Sequence, residues 1–241
     1  MFKLPAMLLL DRGAFWKTLR AQGVGWVGVA SMAAFTVATC AAYGALMAFW
    51  RSPQLACYAA AKLPLVFVGS TAIVAVFNWM VATSLNSGLS FRQSVALAYA
   101  AMVVACWILL ALIPVVLFFI LTGLPAINDA SATDVNLDFA YRVILLTHVT
   151  VLAIAGVAGN VSLFKGLRAV VRPNCPAVAL FAAWIVLFAI VGCQVSWILS
   201  PFVGHPLLEK VFFCGENLNT NFFEVVFQRL LPSFLTGKQL W

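Results

Sequence analysis

Long apolar runs alternate with short polar breaks along this chain, and five of the runs are long enough to cross a bilayer. About 20 consecutive apolar residues span the hydrocarbon of a membrane as a helix. Runs of at least that length cover residues 23–50, 63–85, 94–122, 139–172 and 176–202, the fourth leaving the apolar phase through Lys165, Arg168 and Arg172. The pattern predicts an all-α fold, a polytopic membrane helical bundle of five transmembrane helices with an interfacial amphipathic segment at each end. Residues 1–22 form the N-terminal segment, 23–202 the transmembrane domain and 203–241 the tail.

The two end segments differ from the spans in pattern. Residues 1–22 mix Lys3, Arg12, Lys17 and Arg20 with Leu8, Phe15, Trp16 and Leu19. The apolar run at 7–10 is too short for a signal-peptide core. An amphipathic helix lying on the cytoplasmic interface and an ordinary basic flank are both open readings. In the tail, Asn221-Phe-Phe-Glu224 caps a short helix over 221–235. Its narrow polar face is Glu224, Gln228 and Arg229, and it is expected in the interface or against a partner.

Punctuation inside the bundle is local and readable. Ala30, Ala34, Ala38 and Ala42 recur every four residues in the first span, a small-residue ladder that lets another helix come close, in this chain or in a partner. Pro64 is placed in the first turn of the second span, after a short connection over 51–62. Asn86-Ser87-Gly88 reads as a turn, and Ser90-Phe-Arg-Gln93 as a capping box for the third span. Pro114 lies within that span and frees the carbonyl of Leu110. Residues 123–138 form the one clearly polar connection, with Asp129, Asp134 and Asp138.

Composition confirms the solvent. The chain is 64% hydrophobic and 9% charged, against roughly a quarter charged in soluble domains, and its mean hydropathy is +1.06. The net charge of +7 lies at span ends, which suits lipid headgroups and excludes a nucleic-acid partner. With the N-terminus inside, eight basic residues fall on the cytoplasmic side and six outside, and six of the seven acids fall outside. Basic residues concentrate on the cytoplasmic side of membrane proteins. The expected topology is therefore N-terminus in and C-terminus out, in a bacterial inner membrane.

Candidate chemistry is sparse. Cys40, Cys57, Cys106, Cys175, Cys193 and Cys214 are scattered without a CxxC pair, so no metal site is expected. No catalytic constellation and no acidic residue occurs within a span, which counts against an enzyme and against a cation-coupled transporter. His148 is the one histidine within a span, about 13 Å deep at 1.5 Å per residue. Gln194 falls at a similar depth. With Thr147, Thr150 and Ser196 they form the expected intramembrane polar cluster, and His148 is also the candidate ligand for a cofactor of unknown kind. The bland alternative is a histidine satisfied by an interhelical hydrogen bond. Asn78 and Asn160 read as separate helix-contact residues.

The segment Gly192-Cys-Gln194-Val-Ser-Trp197-Ile-Leu-Ser-Pro201-Phe202-Val-Gly204-His-Pro206, followed by Asn221-Phe-Phe-Glu224, resembles the end of a group of uncharacterised bacterial multi-pass membrane proteins. Lys62-Leu-Pro64-Leu and Ser90-Phe-Arg92-Gln93 fit the same pattern. The five-span architecture is similar to the Yip-like class. Ser200 stands where that group leads one to expect an arginine. The resemblance implies topology and no catalytic residues. The leading expectation is a non-enzymatic membrane accessory or scaffold subunit, contacting lipid and either a membrane protein partner or a second copy. The alternatives are a small-solute transporter or channel component around His148 and Gln194, and a cofactor-bearing subunit of an electron-transfer or light-harvesting complex.

Overall fold

With no water to bond it, a backbone in hydrocarbon must satisfy its own N–H and C=O groups, and a helix does so within one segment. The computed structural model describes residues 3–21, 23–122, 134–204 and 211–227, and its regular elements there are all helical. They are α1 (Lys3–Leu10), α2 (Arg12–Ala21), α3 (Trp26–Phe49), α4 (Pro53–Pro64), a π turn (Leu65–Gly69), α5 (Ser70–Ser84), α6 (Phe91–Thr122), α7 (Asp134–Val170), α8 (Ala177–Leu199), α9 (Gly215–Asn219) and α10 (Phe222–Val225). Five stretches are long and apolar enough to cross a membrane: α3, the continuous Pro53–Ser84, α6, Phe139–Val170 of α7, and α8. The protein is thus an all-α polytopic bundle. Asp129, His205 and the tail positions Gln228 and Arg229 lie outside the described residues.

Local signals in the sequence reappear as geometry. The Ser90 N–H donates to Gln93 Oε1 at 2.9 Å and the Gln93 N–H to Ser90 Oγ at 3.2 Å, the reciprocal pair of a capping box opening α6. Asn86 and Gly88 take the left-handed conformation, at φ 53° and 76°, in the turn before it. Asn221 caps α10 by accepting from the Phe223 N–H at 3.1 Å.

Three expectations change. The second span begins at Pro53, not near residue 63, because Ser52 caps a helix whose first residue is proline: its Oγ accepts from the Leu55 N–H at 3.2 Å. Pro64 therefore lies inside a long helix. It has no N–H for the carbonyl one turn back, and the chain widens into the π turn immediately after it. Second, Asp134 to Asp138 are helical rather than loop, so α7 starts before the apolar run. Third, α1 and α2 are more than a basic flank: each packs one face on the bundle and leaves Lys3, Arg12, Lys17 and Arg20 exposed. Leu8, Phe15 and Leu19 are fully buried, the Trp107 Nε1–H donates to the Pro5 carbonyl at 3.0 Å, and Gln93 Nε2 donates to the Leu19 carbonyl at 3.1 Å. Trp107 is 16 residues into α6, roughly 24 Å from its start at 1.5 Å per residue, so α1 reaches well up the bundle.

Close approach in this bundle depends on glycine rather than on the alanine ladder. Gly44 of α3 packs on α4 so tightly that a Cβ would stand 2.4 Å from the Ala59 carbonyl oxygen. Gly159 of α7 sits likewise on Ala101 of α6, 3.0 Å from its carbonyl. Ala30, Ala38 and Ala42 are exposed and Ala34 half-buried, because the packed face of α3 is built from Met32, Phe35, Tyr43 and Met47. The ladder faces away from the bundle.

A side chain at position 44 meets backbone, which cannot swing aside. Gly44→Leu is expected to cost about 3 kcal/mol, the upper part of the range for overpacking. Thermal unfolding in detergent checks this against Gly69→Leu, whose added Cβ would meet nothing within 4 Å.

Candidate functional site

The expected polar cluster does not assemble. His148 is buried on α7, and its Nδ1 pairs with the Tyr43 hydroxyl of α3 at 3.0 Å, the two rings edge to face at 5.6 Å. Its Nε2 is buried with no hydrogen-bond partner. A haem or chlorin would be ligated through that nitrogen, which is sealed from the surface. The Thr147 and Thr150 hydroxyls donate back to the carbonyls of Val143 and Leu146 at 2.9 and 2.8 Å, the usual resolution for hydroxyls in an apolar helix.

Gln194 belongs to another structure. Its Oε1 accepts from the Phe222 N–H at 3.0 Å, while the Trp197 Nε1–H donates to Thr220 Oγ1 at 3.1 Å and Asn217 Nδ2 donates to the Trp197 carbonyl at 3.2 Å. Together these bonds strap residues 217–222 onto the end of α8. Lys62, which the pattern placed in a loop, is fully buried in α4; its ammonium donates to the Pro201 carbonyl at 2.9 Å and lies 5.0 Å from the centre of the Phe212 ring. A buried charge needs this kind of partner, and here it ties the end of α4 to the segment beyond α8.

The open space lies elsewhere, along α8. That helix buries only Leu180, Trp184 and Leu199. The Trp184 Nε1–H donates to the Asn78 carbonyl at 2.9 Å and holds α8 against α5. Meanwhile α7 is drawn onto α6 at Gly159. Between them run three cavities of about 230, 310 and 480 Å³. The first two share Met102, Ala105 and Gly156, the last two share Ser196 and Phe202, and Phe67 lines all three. They make one cleft, and the residue common to its parts is the centre of the π turn that Pro64 causes.

The cleft is apolar and uncharged: among the described residues no Asp, Glu, Lys, Arg or His lines it. Its floor is small, with Ala98, Ala101 and Ala105 of α6, and at Gly156 a Cβ would meet nothing within 4 Å. Of the expected cluster only Ser196 lines it. Asn78 and Asn160, which sequence treats as unrelated, line the same 230 Å³ cavity from α5 and α7. Both count back from the helix ends nearest α2, by six residues from Ser84 and ten from Val170, which is roughly 9 and 15 Å. That shared level was the one signal in the sequence for their meeting.

No protein-family model, curated protein or solved structure matches the chain. The functional reading therefore rests on geometry and chemistry alone.

The Tyr43–His148 pair makes a stability prediction. Tyr43→Phe removes one interhelical hydrogen bond and is expected to cost about 1 kcal/mol. His148→Ala also opens a cavity and strands the buried tyrosine hydroxyl, so about 2–3 kcal/mol is expected. Thermal unfolding of the two variants in one detergent measures the difference.

Proposed function

We propose that this chain is a non-enzymatic integral membrane protein that admits a membrane-dissolved molecule sideways into the cleft along α8, as a carrier or binding subunit. The observation that carries the reading is the cleft itself: about 230 Å³ at one end and about 480 Å³ at the other, joined past Phe67 and Gly156. Ligand sites are mostly apolar clefts with a few placed polar groups, and gaps between helices of a bundle are a common location. Among the described residues the lining has no carboxylate, histidine, lysine or tyrosine for general acid–base work, which favours binding over catalysis. This replaces His148 and Gln194 as the pocket of the transport reading. By its basic residues, the end of the bundle bearing α2 and Arg172 is read as cytoplasmic, in a bacterial inner membrane.

Gly156 provides the test, since a large side chain there enters open space rather than backbone. In nanodiscs containing a diazirine-bearing phospholipid, the native protein is expected to be labelled on α5, α7 and α8 within the cleft. Gly156→Phe is expected to cut that labelling at least fivefold with folding unchanged. Labelling spread evenly over the lipid-facing surface, and indifferent to Gly156→Phe, sinks the reading.

A second reading, the accessory subunit, is favoured by the outward position of Ala30, Ala38 and Ala42. Small residues on a lipid-facing helix admit a second helix closely. Ala38→Cys is then expected to give a disulfide-linked dimer on oxidation if the neighbour is a second copy. Uniformly monomeric product, with an equally exposed cysteine at Ile73 giving the same result, removes the support for self-association.

A further inference from the structure

The proposed cleft leaves two amides unexplained. Asn78 is 5% exposed, and its Oδ1 is buried without a hydrogen-bond partner. Its backbone carbonyl is already taken by Trp184. Asn160, exposed on the open side of α7, lines the same cavity and makes no hydrogen bond to another described residue. In hydrocarbon such groups are expensive unless something satisfies them, and they mark pathways and ligand sites.

Resting on the cleft reading, we infer that the molecule the cleft holds is an uncharged amphiphile whose hydroxyl-type head group lies between Asn78 and Asn160 and whose tail runs past Phe67 toward Phe202. Three arguments give the class. A carboxylate or phosphate head would bring a charge into a lining without a cation, and an ammonium head would meet no carboxylate. Rotating an asparagine amide by half a turn exchanges its donor and acceptor ends, so the matching group is one that both donates and accepts, as a hydroxyl does. The head cavity of about 230 Å³ exceeds the roughly 30 Å³ that one water occupies, and its continuation beyond Gly156 is lined by Met47, Leu63 and Leu109, which suits a hydrocarbon tail.

The geometry also says how the tail is directed. The amides lie at the end nearest α2, whereas Phe202 and Phe222 line the other end beside the strap on α8. A molecule entering from the leaflet beside α2 would seat its head first at the amides, with the widest cavity left for its chain.

The test uses three diazirine probes of equal chain length in nanodiscs of phosphatidylethanolamine and phosphatidylglycerol: a long-chain alcohol, the parent hydrocarbon, and the fatty carboxylate at pH 8. The alcohol is expected to label residues 71–78 of α5 and 156–163 of α7 at least fivefold more than the other two. Asn78→Val and Asn160→Leu are each expected to remove that excess while leaving hydrocarbon labelling as it was. Asn160→Leu lies on the open side of α7 and keeps the test valid if Asn78→Val fails to fold. Equal cleft labelling by all three probes, unchanged in both variants, would mean that water satisfies the amides; the head-group inference then falls and the cleft stands. A preference for the carboxylate overturns the inference in the same way. If no probe labels the cleft of the native protein, the cleft reading itself falls and this inference with it.

Discussion

A polar side chain surrounded by hydrocarbon has no water to turn to, so the protein must supply its partner. That constraint orders most of this bundle. Thr36, Thr71, Thr147 and Thr150 turn their hydroxyls back onto their own helices. His148 meets Tyr43, Trp184 meets the carbonyl of Asn78, and Lys62 meets the carbonyl of Pro201. Each of the last three pairs joins segments distant in the chain, so the need to satisfy a polar group is also what fixes neighbours. Interhelical hydrogen bonds contribute only about 0.6 kcal/mol on average in a membrane. Their weight here lies in specificity, because helices that are apolar on every side have little else to choose a rotation by.

Backbone features then decide where space remains. Glycine brings α3 onto α4 at Gly44 and α7 onto α6 at Gly159. Between α7 and α8 the contact is made by side chains, the Phe164 and Phe181 rings at 5.0 Å, and α8 is fastened to α5 through Trp184. The gap opens on that side. Pro64, lacking an N–H, forces the π turn that carries Phe67 to the point where all three cavities meet. One proline and two glycines thus shape the cleft, and Gly159 and the residues beside Pro64 line it directly.

What was legible in the sequence followed from chemistry local in the chain. The five spans, the Ser90–Gln93 capping box, the Asn86–Gly88 turn and the Asn221 cap depend on residues within a few positions of one another, and all appear in the structure. Spacing along a helix was legible too, because rise per residue is constant. Rotation about the helix axis was not. Four-residue spacing identified the alanine ladder but not which way it faced, and similar depth paired His148 with Gln194 although one faces α3 and the other the strap. Lys62 was misread for a related reason: a lysine near a break reads as loop when the helix that buries it is too polar to look like a span.

The same reasoning that removes His148 as a ligand site promotes the asparagines. A buried imidazole with one nitrogen paired to Tyr43 and the other sealed from the surface has the surroundings of a packing residue. The two asparagines differ from it in that both line one cavity, of about 230 Å³. Burial without space implies structure, and polarity beside space implies a ligand. On the proposed reading the head-group end of the cleft is the one near α2, where it narrows, and Phe202 and Phe222 line its wide end.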